Sequence, residues 1–246
     1  MVESMVQGLV NGRAAIMQPY FFPYIGYYQM AAAVERFLIY DDVNFINRGY
    51  INRNRLLVNG KEWYFTVPLS GASQNKLIKD VTIDMTGWER WKKGFLRTVD
   101  MNYNKALNYQ VGRELLEEIL MLTDDRITSL AQRSVQLLLE RLGRSVHFQR
   151  TSEMGLRTDI RFEERLMHIC EQERIRYYIQ AQGGTVLYSS QRWQDHGLSL
   201  QFIRPTSMEY VRNGPFMPGL SMLDAILHVP FQELDPLLDR YELFTN

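Results

Sequence analysis

Two aspartates in a row, Asp41-Asp42, follow the apolar run Phe37-Leu38-Ile39-Tyr40. A carboxylate just past a buried strand can hold a substrate ammonium, take its proton or share a magnesium ion. An amine attacks an electrophile only after losing that proton, so a nearby base is a chemical requirement of amine transfer. Asp41 and Asp42 are therefore the candidate catalytic residues; the plain alternative for such a pair is a turn. Shortly after them comes Asn47-Arg48-Gly49-Tyr50-Ile51-Asn52-Arg53-Asn54-Arg55, in a stretch with no acid from Val43 to Lys61. Guanidinium forks bind phosphate oxygens bidentately and keep their charge. Arg48, Arg53 and Arg55, with Asn52 and Asn54 as neutral donors, thus suit a pyrophosphate and its stabilisation as a leaving group. Tyr50 can stack on a base or sugar. A solvated basic loop is the competing reading.

A third cluster is Met17-Gln18-Pro19-Tyr20-Phe21-Phe22-Pro23-Tyr24. Gln18, Tyr20 and Tyr24 bring amide and phenol groups to the point where a first strand should end. In open parallel sheets ligands bind beyond the carboxyl ends of the strands, and a helix starting at Pro23 would offer free N–H groups to an anion. An aromatic staple closing the core is the alternative. Gly183-Gly184, after another strand, lets backbone approach a phosphate or simply makes a turn. Ser221 and Asp224 fit the N-cap and third positions of a last helix. His147, His168, His196, His228 and Cys170 show no metal-ligand spacing, so no transition-metal site is expected. No cofactor is expected, with Mg2+ as the one possible ion. The sequence has no G-x-S-x-G, P-loop or G-x-G-x-x-G pattern, which leaves covalent serine catalysis and Walker-type ATP binding without support.

The elements that must position these residues follow from periodicity. Ala14–Met17 reads as a strand, Pro23–Arg36 as a helix with Tyr27, Met30, Ala31 and Val34 at helical spacing, and Phe37–Tyr40 as a second strand. That is a βαβ unit, which implies parallel pairing. Glu62–Leu69 and Lys76–Asp84 read as short strands. Trp88, Trp91 and Phe95 share one helical face, and helices are expected over 111–122 and 126–142. Strands at 146–148, 177–179 and 198–203 then alternate with helices at 159–173, 189–196 and 219–227. The expected fold is α/β, Rossmann-like, with a largely parallel sheet flanked by helices and a helical insertion or lobe in the middle. A loose leader over 1–12 precedes an α/β part over 13–85, the lobe over 86–143, and a C-terminal part over 144–246 that completes the same domain.

Bulk composition narrows the classes. The chain has 246 residues, 46% apolar, enough for a sizeable core. Its 28 basic and 28 acidic residues cancel, so any nucleic-acid contact has to be local. A single cysteine and a terminus unlike a signal peptide point to a cytoplasmic protein, and no apolar run is long enough to cross a membrane.

With these residues in view, the sequence resembles the WbqC-like family. The resemblance rests on Met17 through Tyr27, Gln29, Tyr40-Asp41-Asp42-Val43, Ile51 through Arg55, Trp63 and Val67-Pro68. It continues through Tyr178, Gly183-Gly184, Tyr188, Phe216-Met217-Pro218 and Leu220 through Asp224. It implies a glycine or other amino-acid transferase. Members of the family occur in O-antigen biosynthesis clusters, and related phage proteins are implicated as amino acid:DNA transferases in DNA hypermodification. There the amine displaces pyrophosphate from an activated hydroxymethyl pyrimidine. The expected partners are therefore glycine and either a phosphate-activated sugar nucleotide or a modified DNA base, with no membrane partner and room for a homo-oligomer. On this reading Asp41 or Asp42 deprotonates the amine while Arg48, Arg53 and Arg55 grip the leaving group. Gln18, Tyr20, Tyr24, Gln29, Tyr50, Asn52, Asn54, Gly183, Gly184, Tyr188, Ser221 and Asp224 bind substrate. One departure stands out: the family often ends its Ser-x-x-Asp helix with Asn and Gly, whereas Ala225-Ile226-Leu227-His228-Val229-Pro230 follows here. Two rivals are an ATP-dependent ligase or nucleotidyltransferase, and a non-catalytic module that binds phosphosugar or nucleic acid.

Overall fold

Alternation within the short apolar strands decides how the layers form. The computed structural model describes residues 12–157 and 159–246; the leader expected over 1–12 lies outside them except for Gly12. Strand β1 (Arg13–Met17) runs into helix α1 (Ile25–Ala32), and β2 (Arg36–Ile39) then pairs with β1 in parallel, Ala14 opposite Arg36 and Met17 opposite Ile39. Ala14, Ile16 and Leu38 face one side of the sheet, and Ala15, Phe37 and Ile39 face the other. Both faces are apolar because both are covered, as parallel sheets require.

Helix α1 is shorter than the periodicity predicts. The Ala33 N–H turns back to the Gln29 and Met30 carbonyls, and the chain must already be extended at Arg36 to meet β1. The segment after Asp42 holds the clearest departure. Arg53–Val58 is a strand, β3, hairpinned through Asn59-Gly60 to β4 (Lys61–Thr66), where the composition suggests only a basic loop. Asn59 and Gly60 both have positive φ, 52° and 73°, as a tight hairpin turn needs. A second small hairpin joins β5 (Leu69–Ser70) and β6 (Thr82–Ile83); the strand expected over 76–84 is reduced to β6, preceded by a 3-10 turn at Ile78–Asp80. Helices α2 (Met85–Tyr103), α3 (Tyr109–Ile119) and α4 (Ile127–Arg141) follow. Trp91 and Phe95 of α2 stack 5.1 Å apart, and Phe95 meets Phe65 of β4 at 4.8 Å, so the expected aromatic face closes over the hairpin.

Strand β7 (His147–Arg150) returns to the main sheet beside β2. Helix α5 (Phe162–Gln172), β8 (Tyr177–Ala181), helix α6 (Ser190–Asp195) and β9 (Ser199–Pro205) follow, then α7 (Met222–His228), α8 (Phe231–Leu234) and β10 (Tyr241–Phe244). The six-stranded sheet runs β7-β2-β1-β8-β9-β10, parallel except for β10. The fold is thus mixed α/β with a mostly parallel central sheet and two antiparallel hairpins. Chain order reverses between β1 and β8, and the loops after both leave the sheet on the same edge. No helix among the described residues is long and apolar enough to cross a membrane.

Candidate functional site

The loop after β1 is held in a conformation it would not choose alone. Phe22 is buried with φ 44°, a region disfavoured for residues with a side chain. Its N–H donates to Ser134 Oγ at 3.0 Å, and its carbonyl accepts from Asn54 Nδ2 at 2.6 Å and Ser221 Oγ at 2.9 Å. Three elements therefore pin one residue, which is how a strained backbone persists. Ser221 also caps α7 by accepting from the Leu223 N–H, and Asn52 Nδ2 donates to the Val67 carbonyl. Asn52, Asn54 and Ser221 thus build the site's walls through their polar groups. The Gln18 carbonyl accepts from the Tyr27 hydroxyl at 2.8 Å, while its side-chain amide meets the Tyr20 hydroxyl at 3.5 Å. Gln29 is fully buried, its amide N–H groups donating to the carbonyls of Ser207, Leu237 and Arg240.

Two cavities open on this scaffold. One, about 330 Å³, is lined by Tyr20, Pro23, Tyr24, Tyr50, Asn54, Arg55 and Gly219. The Tyr20 and Tyr50 rings lie 5.9 Å apart, and Tyr50 is half exposed at the mouth. Burial pushes the Tyr20 and Tyr24 phenols above their usual values, so both are neutral donors at physiological pH. The other cavity, about 260 Å³, is lined by Phe45, Asn47, Arg48, Asn52, Arg53, Thr66, Leu69 and Ala72. Arg53 lies over the Tyr64 ring at 4.0 Å, which fixes the guanidinium plane and leaves its edge available. Among the described residues neither Arg48 nor Arg53 has an ion-pair partner, and no acidic residue lines that cavity. Arg55 differs. The hairpin folds Glu62 onto it at 2.9 Å, and it also donates to the Gly219 and Pro218 carbonyls. The three arginines therefore divide: Arg48 and Arg53 form an unneutralised cleft, and Arg55 braces the segment before α7.

Asp41 and Asp42 sit at the end of β2 and turn toward β7. Asp41, 1% exposed, accepts from the Ser152 N–H at 3.1 Å and hydroxyl at 2.9 Å. Burial pushes its carboxyl above the usual range, more than these donors lower it. Asp42 is gripped by Arg165 and accepts from Thr151 Oγ1 at 2.7 Å. Neither lines the two cavities above. Gly183, Gly184 and Tyr188 follow β8 on the α5 and α6 side. A Cβ on Gly184 would lie 2.7 Å from Gln180 Cγ, so close packing explains this glycine, while Gly183 faces open space.

A polar hub that sequence reasoning saw only in part centres on Asp224. Its carboxylate, 0% exposed, accepts from Tyr103 Oη at 2.7 Å, Tyr210 Oη at 2.8 Å, and Arg212 Nε and Nη2 at 3.1 and 3.2 Å. His228 Nδ1 lies 2.8 Å from the Asp224 carbonyl and 3.5 Å from its carboxylate. Burial alone would raise this carboxyl; the donors from His228, Arg212 and Tyr103 outweigh it and hold it at about 2. Beside the hub is a third cavity of about 400 Å³, whose lining includes Leu57, Asn59, Tyr103, Arg212, Phe216, Met217 and His228. The spacing of Asp224 and His228, one helical turn, was a readable signal for that pair. Tyr103, Tyr210 and Arg212 arrive from other elements and carried none.

Residues 18–235 match the WbqC-like protein family. Uncharacterized protein Rv1507c of Mycobacterium tuberculosis is 25% identical over 232 residues, which cover 92% of this chain and 97% of that protein. No solved structure matches the chain. The match spans β2, the hairpin that carries Arg53 and Arg55, and the α7 hub, and so takes in nearly all of the site: the chain belongs to the WbqC-like protein family.

Proposed function

We propose that the chain is a transferase that joins the amine of an amino acid, glycine in the first instance, to a phosphate- or pyrophosphate-activated acceptor. The observation that carries this reading is the pairing of an acid-free arginine cleft with an aromatic cavity on the wall formed by residues 47–55. Arg48 and Arg53 suit the phosphates, and Tyr20, Tyr24 and Tyr50 suit the flat or ring-shaped part that carries them. Acceptors of this kind are a nucleotide-linked sugar or an activated hydroxymethyl pyrimidine in DNA. The strand order, read along the six main strands as 3-2-1-4-5-6, is that of doubly wound sheets and supports the Rossmann-like reading of the fold.

In the reaction the ammonium of glycine first gives one proton to a base. The nitrogen lone pair then forms a bond to the acceptor carbon. The bond from that carbon to the phosphate oxygen breaks, and pyrophosphate leaves with the electron pair, its charge met by Arg48 and Arg53. The product nitrogen is a secondary ammonium. Of the carboxylates expected to take the first proton, Asp42 is engaged by Arg165. Asp41 has the raised affinity for a proton that the task needs, though it lies outside the two cavities.

Carbon-labelled glycine incubated with the purified protein, with and without magnesium, and each acceptor class tests the reading. Label should enter the acceptor as pyrophosphate appears, and Arg48→Gln with Arg53→Gln should raise the acceptor KM about 10- to 100-fold, the loss of one or two charge-assisted hydrogen bonds. Absence of label in every acceptor, or AMP release from ATP in its place, would refute it.

A further inference from the structure

The third cavity lies across the segment 214–219 from the aromatic one. Phe216 and Met217 line it, and the same two residues wall a narrow cleft that reaches Tyr24 and Gly219. At its inner end is His228, 6% exposed. Nδ1 faces a backbone carbonyl, which can only accept, so Nδ1 carries the hydrogen and Nε2 presents a bare lone pair in the neutral ring. Among the described residues Nε2 has no partner. The ring is held edge-on to Tyr103 at 5.4 Å. Asp224 is ionised throughout the neutral range, and its carboxylate lies 3.5 Å from Nδ1. A base oriented by a third group, here the Asp224 carbonyl, is the arrangement that activates nucleophiles in many enzymes.

The rest of the lining selects the ligand. Asn59 contributes an amide, the Asn102 and Asn213 amides already donate to the Thr98 and Lys105 carbonyls, Leu57, Met101, Phe216 and Met217 contribute apolar surface, and no lysine, aspartate or glutamate takes part. The charge of Arg212 is balanced by Asp224. Such a cavity has no net charge to oppose a small zwitterion and offers both donors and acceptors to it.

We propose that this cavity is the amine-donor subsite and that His228, rather than Asp41, which lines none of these cavities, is the general base of the transfer. This rests on the transferase reading. The ammonium of a small amino acid gives its proton to His228 Nε2, and the freed amine attacks the acceptor held beyond Phe216 and Met217. Proton transfer of this kind is worth about 10²- to 10⁴-fold in rate.

Two measurements on the intact protein test the proposal. In the first, the ring nitrogen signals of His228 in histidine-labelled protein, assigned with His228→Gln, are followed as glycine is added; a saturable shift of Nε2 is expected. In the second, His228→Gln should lower kcat at least 100-fold with the acceptor KM unchanged. Met101→Trp, a substitution at an exposed position of the lining, should raise the glycine KM while leaving the fold and the acceptor KM alone. An unmoved His228 signal at saturating glycine, or full kcat in His228→Gln, overturns the proposal. If no acceptor is ever labelled yet glycine moves the His228 signal, the transferase reading fails and the donor cavity stands.

Discussion

Asp41 and Asp224 are both cut off from solvent, 1% and 0% exposed, yet their surroundings move them in opposite directions. Asp41 meets the N–H and hydroxyl of one serine, with Asp42 as its neighbour, so the cost of burying a charge prevails and its carboxyl is raised. Asp224 meets two phenols, a guanidinium fork and an imidazole, and is held at about 2 despite deeper burial. The number and charge of the donors, rather than burial itself, decide whether a buried carboxyl holds a proton or a charge. The rim of the sheet accordingly has a carboxyl suited to proton exchange, and the hub has a fixed anion suited to orienting its neighbours.

The largest effect expected from that contrast is on folding. Asp224→Asn leaves the Arg212 guanidinium buried beside Tyr103 and Tyr210 with no opposing charge, which should cost about 3–5 kcal/mol, read as a lower urea midpoint. A loss below about 1 kcal/mol would mean that the hub is not an electrostatic unit. A smaller loss is expected from Ser221→Ala, which removes both the cap of the Asp224 helix and a hydrogen bond to the strained Phe22 carbonyl. Caps and such bonds are worth about 1–2 kcal/mol together. If Ser221→Ala also changes the acceptor KM while Asp224→Asn does not, the motif loop and the hub act separately.

The hub also marks where sequence reasoning ran out. The parallel βαβ start, the aromatic face of α2 and the capping of α7 were legible because each rests on local periodicity or a local side-chain bond. The β3–β4 hairpin had its signal in Asn59-Gly60, but the basic composition of 47–55 masked it. Arg55 looked free because Glu62, seven residues on, faces it only once the hairpin forms, at 2.9 Å. Tyr103 and Arg212 could not be placed beside Asp224 from spacing at all: 121 residues separate Tyr103 from it, and only the packing of both α2 and α7 on β3 brings Tyr103 to it.

The smallest expected effect is the most discriminating, because it has opposite signs at the two sites. Asp41→Asn keeps a similar shape: its carbonyl can still accept from the Ser152 N–H, and its amide can donate to a reoriented Ser152 hydroxyl. Its stability at neutral pH should stay within about 1 kcal/mol of the parent. The raised carboxyl means that the folded parent binds a proton at Asp41 more tightly than the unfolded chain does. Its contribution to stability is therefore greatest below the ordinary aspartate value of about 3.9 and declines as pH rises through the folded value. Asp224 behaves inversely, contributing above about 3.9 and losing that contribution as pH falls toward about 2. Urea midpoints measured from pH 2 to 7 should show the parent losing ground to Asp41→Asn as pH rises from about 4, and gaining on Asp224→Asn between about 2 and 4. Equal slopes for the two variants would erase the distinction between proton exchanger and fixed anion.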